Sequence, residues 1–400
     1  MPPHERAPHE RDALITGIGL VSCLGEGIAA HWSALNRDGG FQPVVDTDRF
    51  APFIVHPIAP LELDRQIPKR GDQRQMEPWQ RIGVYAAGLA LEAAGVKGDA
   101  DLLGRMDMIV AAGGGERDYA VDSQILSALP GVNNAGAFLN EHLLSDLRPT
   151  LFLAQLSNLL AGNISIVHGV VGSSRTFMGE EAAGTDAVRI AVARIQAGQG
   201  DLFLVGGAMN AERPDVVLHY AMGGVLTQGP YAPVWQRQAT APGMALGSLG
   251  CFLVIESRAH AAARGAKPLA RIAGVRTDRS SRAPGEATRN AEAQLAALAP
   301  APDGLAVISG ATGAPAPTQE EAAFLGRLGW PVRAAASAFG HSLEPSFPAS
   351  LALAALALSE GRLFAPLEAA EAPMASALSQ VLVTSWGNWR GEAMALLTAP

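Results

Sequence analysis

Short, almost wholly apolar runs alternate along this chain with longer stretches whose apolar residues fall at helical spacing. Residues 13–22 predict a buried strand running into a glycine-bearing turn. Over 79–94, Ile82, Ala86, Leu89 and Ala93 line one face of a helix, and 106–112 predicts a second buried strand closing on Gly113, Gly114 and Gly115. Helices are predicted over 27–36 and 150–160, a strand-like connection over 164–171, an elbow over 172–184 and a helix over 185–197. Strands at 201–205 and 247–256 precede a short helix at 259–264. Beyond Arg271 the order starts again, with a strand at 272–275, a helix at 288–298 and a strand at 305–309. Buried strands alternating with amphipathic helices predict an α/β fold with mainly parallel sheets, and the echo between the two stretches predicts an internal duplication.

Composition narrows the function. At 48% hydrophobic and 17% charged, the chain has material for a large core and too little charge for disorder. A net charge of -8, with Lys69, Lys97 and Lys267 as the only lysines and no basic run, argues against a nucleic-acid partner. Apolar runs break after about ten residues, against about 20 for a membrane-spanning helix, so no membrane partner is expected. Residues 1–12 repeat Pro-His-Glu-Arg and carry no apolar segment of a secretion signal; they predict a flexible tail. Cys23 and Cys251 fall in apolar runs that predict buried thiols, not a disulfide framework, which points to a reducing cytoplasm. The nine histidines show no ligand-like spacing, so no metal is expected. Gly17 and Gly19 suggest a dinucleotide turn, but Ser22 stands where a third glycine belongs, and no cofactor is expected.

Several stretches, in order, resemble the β-ketoacyl synthases of the thiolase superfamily. These are Leu14-Ile-Thr-Gly-Ile-Gly-Leu-Val-Ser-Cys-Leu-Gly25, the helix 148–162, His168-Gly169, the run 184–208 ending in Leu-Val-Gly-Gly-Ala208, the junction 246–267, and Gly340-His341-Ser342-Leu343. The resemblance implies a thiolase-like five-layer α-β-α-β-α fold of two similar halves, here 13–256, carrying the nucleophile elbow, and 257–400, carrying His341.

A condensing member of that family needs a thiolate at a helix N-terminus, where the helix dipole lowers its pKa, and two histidines that hold a developing enolate. A lysine near the second histidine completes the set that the resemblance implies. Aligning the glycines of 172–184 sets Glu181 at the thiol's place. Ala311 falls at the first histidine and Ala336 at the lysine, so only His341 remains of the set. The Gly/Phe-rich loop that gates the family's pocket is replaced by Trp386-Gly-Asn-Trp-Arg-Gly-Glu392. A carboxylate is a poor acyl acceptor, since a thioester would have to become a mixed anhydride. Glu181 is therefore read as filling the vacated place, with a charge-assisted hydrogen bond to His341.

The expectation that follows is a non-condensing, chain-length-factor-like subunit. It pairs with a Cys-bearing ketosynthase, meets an acyl carrier protein, and shapes the acyl tunnel of a type II polyketide or fatty-acid-like pathway, aryl polyenes being one candidate. Relatives of that kind typically carry glutamine where Glu181 stands. Tunnel residues are expected within 116–129 and 150–156, with Asp122, Leu126, Leu129, Thr150, Leu151 and Phe339 as candidates. The alternatives are a malonyl-carrier decarboxylase that supplies a starter unit, handicapped by its missing donors, and a non-catalytic acyl-binding scaffold.

Overall fold

A computed structural model describes residues 9–149, 151–389 and 391–400. Eleven strands hydrogen-bond into one sheet, which divides by pairing pattern into two groups of five plus the flap Gly25–Glu26. The first group comprises β1 (Ala13–Ser22), β2 (Asp107–Ala111), β3 (Ser174–Phe177), β4 (Leu202–Met209) and β5 (Leu249–Ser257). The second comprises β6 (Ala270–Asp278), β7 (Leu305–Ser309), β8 (Val332–Ala334), β9 (Gln380–Trp386) and β10 (Glu392–Thr398). The groups meet where β1 pairs with β6 over only three residues, Ala13 to Ile15 against Ile272 to Ala270.

Outward from that junction the two groups repeat one pattern. β1–β5 and β5–β4 are antiparallel, then β4–β2 and β2–β3 parallel. β6–β10 and β10–β9 are antiparallel, then β9–β7 and β7–β8 parallel. This is the structural form of the duplication that the sequence echo predicts.

Helices complete the layers. Glu181–Gln196 and Ser346–Ser359 pack on each other and on strands of both groups, so they form the central layer. The second of these is buried almost all round, as its run of Ala and Leu requires. Pro78–Ala93 covers β1, β4 and β5 on one outer face, and Glu286–Leu298 with Pro315–Leu328 covers the other. The arrangement is the α-β-α-β-α stack of a thiolase-like fold.

The Gly17–Gly19 pair serves this packing. A Cβ on Gly17 would stand 2.5 Å from the carbonyl oxygen of Ala90, and one on Gly19 1.9 Å from that of Ala86. Two glycines let the outer helix lie directly on β1, so they bring backbones together and do not cradle a phosphate.

The expectation of mainly parallel sheets is corrected. Pairing is antiparallel around the junction, through β4, β5, β1, β6, β10 and β9, and parallel only toward the two outer edges. β9 and β10 are joined by too few residues for the crossover a parallel pair needs. Three expected elements are corrected as well. The predicted helix 150–160 is a short turn, Leu151–Ala154, followed by a separate helix, Leu159–His168, so the strand-like reading of 164–171 fails for most of its length. The β-branched residues Ile164, Ile166 and Val167 favour a strand by propensity. Burial of Leu160, Ala161 and Ile164 on one face, and a left-handed Gly169 at φ 78°, make the segment a helix with a proper end. The helix predicted to start at Thr185 begins four residues earlier, at Glu181.

Candidate functional site

The elbow ahead of the central helix turns on Glu180, a non-glycine residue at φ 53° and ψ -133°. Such a backbone costs on the order of 1–3 kcal/mol and persists where its surroundings over-determine it. It sends the two adjacent carboxylates to different partners. Glu180 Oε1 accepts from the Tyr220 hydroxyl at 2.6 Å, whereas Glu181, the first residue of the helix, turns inward.

Glu181 is 3% exposed and His341 2% exposed. His341 Nε2 lies 2.7 Å from Glu181 Oε1, and the same oxygen accepts from the Asn388 amide at 3.2 Å. Burial alone would push the Glu181 carboxyl up. The His341 hydrogen bond and charge, with backbone amides, outweigh it and hold the group below the ordinary carboxylate range. The helix N-terminus favours the same anion. His341 is fixed by its main chain, which donates to Ala245 and accepts from Gly247. Glycine is required at position 247, where a Cβ would stand 1.9 Å from the Phe339 carbonyl oxygen.

Ala311 and Ala336 share a small apolar cluster with Val234 and Ala334, packed against Trp235. Ala311 is fully buried and Ala336 nearly so, and neither brings a polar side chain to the site. Both thiols are elsewhere. Cys23 Sγ lies 3.7 Å from His56 Nδ1, and Cys251 sits inside β5. Burial raises both thiols, Cys23 to about 12, so neither is a ready thiolate. His168 contacts the Val84 carbonyl at 2.9 Å, a packing role away from the site.

Beside the pair opens a cavity of about 410 Å³, with Trp79, Met209, Val216 and Leu343 on its apolar walls. Glu180, Tyr220 and Glu344 also line it, as do Arg213 and Asp215. The expected tunnel positions are not in this lining. Asp122 pairs with Arg117, Leu126 is 67% exposed on the helix Tyr119–Ala128, Leu129 is half-buried, Leu151 is buried in the next helical turn, and Phe339 is in the central core. Thr150 lies outside the described residues.

Sequence reasoning did not single out Glu344 or Tyr220, nor Asn388 as a ligand of Glu181. An acid directly after the histidine motif was the available signal for Glu344. Among the described residues no group of three or more potential ligands could hold a metal, and no helix is long and apolar enough to cross a membrane.

A helix-borne side chain facing a late histidine, inside two matching sheet halves, is the arrangement of a thiolase-like fold. The family model for the N-terminal domain of β-ketoacyl synthases matches residues 10–261, and the chain belongs to the β-ketoacyl synthase family. It is 32% identical over 265 residues to the actinorhodin polyketide putative β-ketoacyl synthase 2 of Streptomyces coelicolor, covering 63% of this chain and 60% of that protein. It is 28% identical over 272 residues to Nodulation protein E of Rhizobium leguminosarum bv. trifolii, covering 66% of this chain and 63% of that one. The match therefore spans less than two thirds of either relative. Among solved structures, the ishigamide ketosynthase/chain length factor superposes with a TM-score of 0.78 at 21% identity, covering 98% of this chain and 99% of the other. The ketosynthase of the AntDE:AntF complex superposes with a TM-score of 0.71 at 18% identity, covering 97% and 99%.

Proposed function

We propose that this chain is a non-condensing, chain-length-factor-like subunit that pairs with a Cys-bearing β-ketoacyl synthase and shapes the tunnel for a carrier-bound acyl chain. The observation that carries the reading is Glu181 at the first position of the central helix, buried and bound to His341, with Ala311 and Ala336 supplying no second donor. A carboxylate so satisfied has little reason to attack a thioester. The missing partners also weigh against the decarboxylase alternative, since each lost oxyanion donor costs about 2.7–4 kcal/mol of transition-state stabilisation.

Surface features support a protein partner. β3 pairs on one side only, at the end of the sheet, and its outer residues are exposed. Large apolar side chains stand in solvent on the helices Tyr119–Ala128, Ala135–Ser145 and Pro214–Met222, among them Leu126, Leu144 and Met222. Lys69, Arg70 and Arg74 are exposed on or beside the helix Arg70–Gln75, a cationic patch on an acidic chain and suited to an acidic carrier protein. The polyketide synthase relative and the ketosynthase/chain length factor structure agree with this reading.

Co-expression with a Cys-bearing β-ketoacyl synthase tests it. A stable 1:1 complex is expected, with acylation by a carrier thioester confined to the partner's cysteine. Acylation of this chain alone, or a homodimer indifferent to the partner, would overturn the proposal.

A further inference from the structure

The stretch 118–149 is folded but thinly seated on the rest of the chain. Its first helix, Tyr119–Ala128, buries only Val121 and Ile125, and its second, Ala135–Ser145, buries none of its eleven residues. Large apolar side chains nonetheless stand in solvent there, Leu126, Leu143 and Leu144 within it and Phe152 and Leu153 just after it, with Leu144 77% exposed. An isolated helix shorter than about 12–15 residues is marginal in water, and most helices gain their stability from an apolar face packed on a neighbour. Ala135–Ser145 has the apolar residues, while Phe138, Leu139 and His142 reach only half-burial.

The charges of this stretch are one-sided. Between Arg117 and Arg148 it carries four acids, Asp118, Asp122, Glu141 and Asp146, and no lysine or arginine. The two flanking arginines are committed: Arg117 holds Asp122 through bonds of 2.6 and 2.9 Å, and Arg148 pairs with Glu77. Asp118 caps its helix, and Asp146 meets His142 at 2.6 Å and the Ser145 hydroxyl at 2.7 Å. Glu141 is exposed and makes no ion pair among the described residues. An apolar surface whose uncompensated charges are all acidic repels its own copy, because a twofold dimer sets one patch against itself.

We infer that the helix Ala135–Ser145 is a docking helix held in place by the partner subunit, and that the partner offers it an apolar groove edged with lysine or arginine. The inference rests on the partnership proposed above and adds the chemistry of the surface that the partner must present. A helix laid in such a groove buries Leu143 and Leu144, which supplies the packing that this chain does not. Basic groups at the rim meet Glu141 and Asp146, where a second copy brings acid to acid. The same contact therefore stabilises the helix and selects a different chain over a duplicate.

Amide hydrogen exchange on the full chain, alone and co-expressed with a Cys-bearing β-ketoacyl synthase, tests this. In the isolated chain the amides of 135–145 should exchange nearly as fast as in an unstructured peptide, while those of Pro78–Ala93 stay protected. In the complex the 135–145 amides should slow by about a hundredfold or more. Glu141→Lys should weaken the complex about tenfold at low salt, with the difference shrinking as ionic strength rises. Leu144→Asp should weaken it further and leave the isolated chain folded, since that side chain is exposed. A complex in which 135–145 exchanges as fast as in the isolated chain overturns this inference alone. So does strong protection of those amides in the isolated chain, or an affinity unmoved by either substitution. A homodimer that slows the same amides to the same extent overturns the choice of partner. No complex at all overturns the proposed partnership, and this inference with it.

Discussion

Two corners of the site stand in sharp contrast. Around the central helix, Glu181 and His341 keep a buried, hydrogen-bonded polar pair, held by Asn388 and by the main-chain bonds of His341. At the ends of β7 and β8, Ala311 and Ala336 are packed into an apolar cluster with nothing to donate. In the first corner polarity is kept and the nucleophilic thiol is absent; in the second, polarity itself is absent. The difference teaches that the site is a supported structural element on one side and plain core on the other, so the two should respond to mutation in opposite ways.

The largest effect is expected at the Glu181–His341 pair. Glu181→Ala leaves His341 without its partner and should lower unfolding free energy by about 3–5 kcal/mol, read by denaturant titration. A loss below about 1 kcal/mol would mean that the pair carries no more than an exposed ion pair does. The pH dependence has a definite sign. Glu181 is held below its ordinary 4.5, so its contribution is present above that value and is lost as pH falls through the lowered one. The gap between wild type and variant should therefore narrow in acid.

In the opposite corner, Ala311→His places an imidazole in a fully buried apolar cluster and should cost about 1–3 kcal/mol from overpacking alone. The double variant Glu181→Cys/Ala311→His should still fail to condense, since Ala336 and the 386–392 loop are unchanged. Condensing activity in that variant would show that the apolar corner is only a substitution away from function.

A smaller effect distinguishes Glu344 from both corners. Its carboxyl is raised from 4.5 to about 7, so the folded state binds the proton more tightly and wild type loses stability as pH rises between those values. Glu344→Gln removes that slope, and its stability relative to wild type should grow from pH 4.5 to about 7 and then level. A constant difference across that window would show that the carboxyl is not buried from water. The smallest change in the isolated chain is expected on the exposed face. Leu126→Ser should shift stability by no more than about 0.5 kcal/mol while weakening assembly with the partner, measured by analytical ultracentrifugation.

Much of this was legible in the sequence because it is written as pattern. Strand 13–22 and the core of helix 79–94 follow from continuous and periodic burial, and the repeated strand pattern follows from the echo after Arg271. The Glu181–His341 contact was readable as well, since two glycines set the elbow's register. What was not legible depends on three-dimensional approach. The helix Leu159–His168 reads as a strand by its β-branched residues until burial of one face decides otherwise. Glu344 looks like an ordinary surface acid, because nothing local announces that Gly113 leaves room for its carboxyl. Asn388 acts through its amide, which carries no side-chain signature.

One feature of the architecture bears on handling the protein. Beyond β3 the ladder simply stops, with amide and carbonyl groups turned outward along a four-residue strand whose Ser174 and Arg175 stand exposed. Such a border templates whatever extended peptide meets it first. Made without a companion, the polypeptide should drift toward non-native self-pairing at high concentration; made together with one, it should remain dispersed.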